Sequence, residues 1–128
     1  MSQPTSVIKN LTATAAVIEA YRIVKFDATV KTSVLKAAAA TDAPVGVSEG
    51  VDTAASGRVD VVMTGLTKVT AGAAYNPGTY LTSDASGRAV AAAPAAGVNN
   101  GIIGIAIEEA TAAGDIVEIL VNPQSRQG

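Results

Sequence analysis

The sequence predicts a small, mostly β single domain: a β-barrel or sandwich of short antiparallel strands with an extended N-terminal arm. Three observations support this fold class. The large aliphatic residues are mostly Val and Ile, which favour strands. Several short segments alternate apolar and polar residues, and glycine-rich turns separate them. No segment sustains the 3.6-residue apolar period that a helical bundle requires.

Alternation locates some of these strands directly. A strand side chain points to the face opposite that of its neighbour, so every second residue shares a face. This spacing predicts three apolar faces: Val59, Val61 and Met63; Ile103, Ile105 and Ile107; and Val117, Ile119 and Val121. Further strands are expected at 21–26, 30–35, 66–70, 79–82 and 88–91.

Two turns are predicted from their residue types. Residues 76–79, Asn-Pro-Gly-Thr, combine a proline that presets φ with a glycine that accepts positive φ. Residues 84–87, Asp-Ala-Ser-Gly, form the second turn. There Asp84 is expected to bond to its own backbone as an Asx-turn, because the segment lacks the further acidic ligands of a calcium loop.

The 128 residues fit one domain. Weak patterning over residues 1–20 predicts an N-terminal arm or edge segment. The strands and turns then place the β domain at 21–122, and Pro123 begins a tail, 123–128, that we expect to be disordered.

One internal similarity suggests two related parts. The segment 45–61 resembles the segment 103–119, and each reads as a strand, an Ala/Gly loop and another strand. Gly46 matches Gly104, and Gly57 matches Gly114 with a one-residue gap. The similarity is too short for a solenoid, so we interpret it as two similar β units within one barrel.

Composition argues against several functions. The chain has no Cys and no His, which removes thiol chemistry and the commonest metal ligand and general base. Its formal net charge of −2 comes from scattered residues without a basic stripe, so neither nucleic acid nor an anionic membrane is an expected partner. The N-terminus does not resemble a signal peptide, and the uncharged segment 89–107 contains too many Gly, Asn and Pro residues for a membrane helix.

No catalytic, cofactor-binding or metal site is predicted. The adjacent acidic residues Glu108 and Glu109 would point to opposite faces of a strand and would not act together. A ligand-binding module would need an aromatic platform, for which Tyr75 and Tyr80 are the available pair. We therefore expect a protein that is not an enzyme and binds no small-molecule substrate.

In their order and number, the glycine turns and strands resemble those of the capsid cement (head decoration) proteins of tailed phages. That pattern has a Gly-Val step, an Ala-x-Gly-x-x-Val-x-Val strand, a Gly-x-x-Leu-x-x-Asp-x-x-Gly hairpin and a final Gly-Asp-x-Val-x-Ile unit. The resemblance covers roughly residues 10–121. The matching segments are 45–48, 55–61, 65, 70–72, 78–87, 104–106 and 112–119.

The resemblance implies a structural protein of the virion, assembled in the bacterial host cytoplasm. Such a protein binds the outer surface of the assembled head, bridges major capsid protein subunits to stabilise the shell, and commonly forms a homotrimer. Two alternatives remain open. One is a phage tail-tube or fibre module, and the other is a ligand-binding β module.

For partner binding, the sequence singles out Pro4, Val7, Ile8 and Leu11. These residues precede the first clear strand, and we expect them to lack a place in the core. Deleting residues 2–11 should then abolish capsid binding and leave the fold intact. The alternative is that this segment adds an edge strand to the sheet.

Overall fold

The computed structural model describes residues 7–13, 17–28, 33–50, 52–94 and 96–127, and these residues form nine β-strands and no helix. The mostly β prediction is confirmed. The strands are β1 (Val7–Ala13), β2 (Ile23–Phe26), β3 (Ser33–Lys36), β4 (Gly46–Ser48), β5 (Arg58–Thr70), β6 (Tyr80–Ser83), β7 (Ala89–Ala91), β8 (Asn99–Ala106) and β9 (Ile116–Gln127).

The first half of β5 closes a five-stranded barrel. Residues 58–64 pair antiparallel with β1 and β4, while β1 also pairs parallel with β3. Strand β2 lies between β3 and β4 and completes the ring. We call these strands the first unit. Its core includes the predicted face of β5 and consists of Leu11, Ala13, Ile18, Val24, Val34, Val59 and Val61, with Met63 packed against them.

The second half of β5 begins another sheet, which we call the second unit. Residues 65–70 pair with β9, and β8, β6 and β7 follow in that order. An isolated bridge between Ala71 and Ala89 brings the end of β5 back to β7. The buried residues of this unit include Val69, Ala71, Tyr75, Leu81, Ala89, Ala106, Ala110, Val117, Ile119 and Val121.

The two units share one strand arrangement. Val24 lies opposite Gly46 in the first unit, as Leu81 lies opposite Gly104 in the second. Over the last two strands of each unit, residues 46–63 correspond to residues 104–121, a constant offset of 58. The internal similarity in the sequence is therefore a structural repeat. The two copies are not halves of one barrel, because each forms its own set of strands around the shared β5.

Backbone hydrogen bonds correct the sequence alignment of the repeat. The Ser56 N–H donates to the Ala13 carbonyl at 2.8 Å, and the Gly114 N–H donates to the Ala71 carbonyl at 2.8 Å. Both donors have positive φ, 66° at Ser56 and 95° at Gly114. Ser56 rather than Gly57 is thus the equivalent of Gly114, and no gap is needed.

Gly46 and Gly104 occupy equivalent close approaches between strands. A Cβ at Gly46 would collide with the Val62 carbonyl oxygen, and a Cβ at Gly104 would collide with the Leu120 carbonyl oxygen. The repeat therefore requires glycine at both positions, because no side chain fits between these backbones.

Four segments differ from the sequence-based expectation. Part of the expected N-terminal arm, Val7–Ala13, is a barrel strand, and the two strands expected at 58–63 and 66–70 are one strand that passes through Gly65. The expected disordered tail instead continues β9 to Gln127, because β8 pairs with it as far as Asn99. A register shift between Ile102 and Gly104 separates Ile103, in the core, from Ile105, whose cross-strand partner is the exposed Leu120.

Candidate interaction surfaces

The four predicted partner-binding residues do not form one surface. Pro4 lies outside the described residues. Val7 and Ile8 begin β1 and are half-exposed beside β5, whereas Leu11 is buried in the barrel core. Since β1 pairs with β5 from Val7 to Thr12, deletion of residues 2–11 would remove a barrel strand rather than a separate arm. Val7 and Ile8 are the accessible part of this candidate site.

Four apolar residues on four neighbouring strands of the second unit form a contiguous row. Leu66 pairs with Leu120, Leu120 with Ile105, and Ile105 with Tyr80, on β5, β9, β8 and β6 respectively. Directly opposed residues of antiparallel strands share a face, so the four side chains are neighbours. Leu66 is 41 % exposed, and Leu120 and Tyr80 are each 39 % exposed. We call these four residues the outer row.

Single exposed leucines are common on proteins, but a contiguous apolar row is informative. Ile107, two residues beyond Ile105, and Ile116, separated from Leu120 on β9 by Glu118, are also exposed. Beside the row, Lys68 on β5 lies opposite Glu118 on β9, so a positive and a negative side chain are paired there. The composition of this face is that of an interface with an apolar centre and a polar margin.

Charged side chains elsewhere serve to hold loops and strands. Lys36 pairs with Glu19 at 2.7 Å, and its ammonium holds the pKa of the Glu19 carboxyl below its usual value. Burial disfavours the charge on Asp42, but the Ala38 N–H and the Lys25 ammonium outweigh this cost and lower its pKa. These carboxylates are held in the ionised state that their structural bonds require.

A groove of about 400 Å³ lies between the β3–β4 loop, the start of β8 and the end of β9. Its lining includes Pro44 and Pro123 together with polar residues such as Asn100 and Gln124. Asp42, the acidic residue of this lining, already accepts bonds from Ala38 N at 2.8 Å and Lys25 Nζ at 3.0 Å. These bonds engage Asp42 Oδ2 within the protein.

The structure separates the pairs that alternative functions would need. Tyr75 is buried in the second unit while Tyr80 is exposed in the outer row, so the two do not form an aromatic platform. Glu108 and Glu109 lie in the β8–β9 connection, where Glu108 Oε1 accepts the Glu118 N–H at 2.7 Å. Asp84 Oδ1 accepts the Ser86 N–H at 2.8 Å, which confirms the predicted Asx-turn.

Two kinds of feature do not occur in the described part of the chain. Within residues 7–13, 17–28, 33–50, 52–94 and 96–127, no three His, Cys, Asp or Glu side chains cluster as a metal site would require. The same residues contain no helix of the length and apolarity needed to span a membrane.

Fold and surfaces together define a small β-barrel protein with exposed apolar residues on its surface. The chain belongs to the phage cement protein family, whose model matches residues 2–122. Membership confirms the family resemblance of the sequence and gives the protein a structural role in the phage capsid.

A solved structure shares this fold. The head fiber gp8.5 N base of bacteriophage phi29 superposes with a TM-score of 0.70, covering 95 % of this chain and 100 % of that chain at 21 % identity. At this level of identity the likeness is one of fold. No curated protein sequence matches the chain significantly.

Proposed function

We propose that this protein decorates the outer surface of the assembled phage head and bridges neighbouring major capsid protein subunits. The observation that carries the proposal is membership of the cement family, whose model matches residues 2–122. Bridging stabilises a shell because many modest contacts act together, so each copy needs only a small favourable interface. The protein performs this role by binding, without catalysis, and joins the head in the bacterial host cytoplasm.

The proposed capsid contact is the start of β1, at Val7 and Ile8. Both side chains are half-exposed, although β1 itself is fixed by pairing with β5 and β3. A rigid strand that presents apolar side chains loses little conformational entropy on binding, which favours affinity. Nucleic acid, membrane and small molecules are not partners in this proposal.

The direct test is addition of purified protein to undecorated heads of its phage. We expect saturable binding to the capsid exterior and greater resistance of the heads to heat. A protein that leaves undecorated heads unoccupied at every concentration would contradict the proposal.

Point variants locate the contact better than deletion does, because deletion would remove a barrel strand. Ile8→Asp places a charge on the exposed start of β1 and should weaken head binding about tenfold or more, the loss expected for a central interface residue. Val98→Asp, at an exposed position before β8, is the matched control and should bind as the native protein does. Equal binding by both variants would move the contact away from β1.

A further inference from the structure

The outer row of the second unit has an equivalent in the first unit. Strands β2 and β4 pair as β6 and β8 do, and the offset of 58 residues relates β4 and β5 to β8 and β9. Leu66 corresponds to Ile8, which is 50 % exposed. The other three members, Tyr80, Ile105 and Leu120, correspond to Ile23, Val47 and Val62. In the first unit these three residues are at most 2 % exposed.

The second unit covers these three residues of the first. Ile23, Val47 and Val62 belong to the same buried cluster as the core of the second unit. The hairpin between β6 and β7 fixes this contact, because the Ile23 N–H donates to the Gly87 carbonyl at 2.7 Å. Arg22 Nη1 also donates to the Ser86 carbonyl at 2.9 Å. One chain therefore already contains an interface between one unit and the outer face of the other.

Among the described residues no further unit covers the row of the second unit, and Leu66, Leu120 and Tyr80 are exposed. We propose that a second copy of this chain covers the outer row, in the position that the second unit occupies on the first. The intrachain interface is thereby continued between chains. This inference rests on the proposed function and adds to it a surface for the self-association that the family resemblance implies.

The contact surface of the second copy follows from the same equivalence. The β6–β7 hairpin covers the first unit, and the strands that flank it, β6 and β7, correspond to β2 and β3. Phe26↔Val34 is the pair equivalent to Ser83↔Ala89 at the base of each hairpin. Phe26 is 52 % exposed, so this end of the barrel offers an aromatic side chain to the outer row of a neighbour.

Such a contact joins two different patches, Phe26 of one chain and the outer row of the next. A heterologous contact of this kind closes into a ring when its rotation permits, and otherwise extends into a filament. An apolar patch of a few hundred Å² supplies the centre of a standard interface, which buries about 800 Å² on each partner. Polar neighbours such as Lys68 and Glu118 provide its margin.

Molar mass by light scattering after size exclusion tests the proposal without any capsid. The native chain should exceed its monomer mass of 12.7 kDa, while Leu120→Arg at the same concentration should run as a monomer. We expect the association constant to fall at least tenfold in Leu120→Arg, and to fall less in the uncharged Leu120→Thr. Circular dichroism checks that both variants are folded, which we expect because Leu120 is exposed.

Val98→Arg is the matched control, because it adds the same charge at an exposed valine away from the outer row, and it should associate like the native chain. A native chain that stays monomeric at all concentrations overturns the inference, as does unchanged association in Leu120→Arg. Head binding is measured separately, so native protein that binds heads as a monomer refutes the self-association surface alone. Native protein that self-associates but ignores heads refutes the proposed function alone.

Mixing distinguishes a heterologous contact from a symmetric one. Phe26→Arg and Leu120→Arg each lose one of the two patches, so neither should self-associate. Their mixture retains one complete contact between the intact row of the first variant and the intact Phe26 of the second. A complex of about twice the monomer mass in the mixture supports the arrangement, and its absence at the highest attainable concentration overturns it.

Discussion

The two units of this protein have the same strand order and opposite surroundings. In the first unit the outer face at Val62 is buried beneath the second unit, whereas in the second unit the equivalent Leu120 is 39 % exposed. Both positions carry an aliphatic residue. The difference teaches that the apolar character of this face is a property of the repeat, while its burial depends on what lies next to it.

The largest expected difference in stability comes from introducing a carboxylate at each of the two equivalent positions, Val62 and Leu120. Val62→Asp buries a carboxylate between the units and should lower the free energy of unfolding by more than about 4 kcal/mol. Leu120→Asp places the same group at the surface and should cost less than about 1 kcal/mol in dilute solution. Urea denaturation followed by circular dichroism measures both. Similar midpoints for the two variants would show that the faces do not differ as described.

Next in size is the requirement for glycine at Gly46 and Gly104. Alanine at either position collides with the opposing carbonyl, so each variant should lose about 3 kcal/mol of unfolding free energy, as in other overpacked sites. Gly78→Ala is the control, since the added methyl group would have no atom within 4 Å, although the φ of Gly78 is +86°. The backbone conformation alone should cost that control about 1–2 kcal/mol. A smaller loss at Gly104 than at Gly78 would contradict the repeat geometry.

A smaller change in stability is expected at Ser56 and Gly114, the equivalent positions at which the two units have different residues in the same backbone conformation. Ser56 and Gly114 both have positive φ, which costs an L-residue about 1–2 kcal/mol. Ser56→Gly should therefore raise the free energy of unfolding by up to about 1 kcal/mol after the entropy of the added glycine is subtracted. Gly114→Ser should lower it by about 1–2 kcal/mol. Thermal melting of both variants measures the pair, and changes of the same sign would argue against their equivalence.

The smallest effect concerns Tyr75, which occupies the place of Ile18 in the repeat. The Tyr75 hydroxyl is buried and has no hydrogen-bond partner among the described residues. Tyr75→Phe removes this unsatisfied group, so we expect stability at neutral pH to be unchanged or to rise by less than about 1 kcal/mol. Chemical denaturation at pH 7 measures the change, and a large loss would reveal a bond to this hydroxyl.

The pH dependence of stability in alkaline solution provides a second test of the buried Tyr75 hydroxyl. Burial, with a contribution from the charge of Asp115, raises the pKa of Tyr75 to about 12, above the value of 10 for an unperturbed tyrosine. The contribution of the neutral Tyr75 hydroxyl to the free energy of unfolding is therefore fully present below pH 10. It is lost as the pH rises towards 12. Tyr75→Phe should reduce this loss, while Tyr80→Phe should retain it. Identical alkaline profiles for the two variants would place the titration elsewhere.

Strand content and much of the core were predictable because alternation is a local signal. Val59, Val61 and Met63 share the barrel core, and Val117, Ile119 and Val121 share the core of the second unit, as their spacing indicates. The prediction for Ile103, Ile105 and Ile107 was wrong, because a register shift between strands has no mark in the spacing of one segment.

The interaction surfaces were less accessible to sequence reasoning. Leu11 was assigned to a partner-binding arm because the pairing of β1 with a strand some fifty residues away leaves no local pattern. The outer row joins residues from four strands, so none of its segments stands out alone. The match of Gly46 to Gly104 was the available signal, since extending that alignment places Leu120 on buried Val62.

The shared strand β5 also has a mechanical consequence. Its 13 residues run without a break from the first unit into the second, so a pull on one unit reaches the other through continuous backbone. The ladder bonds on both halves are perpendicular to the strand, so a pull along it loads many of them together. Tension applied along β5 is therefore carried from one unit to the other without a hinge between them.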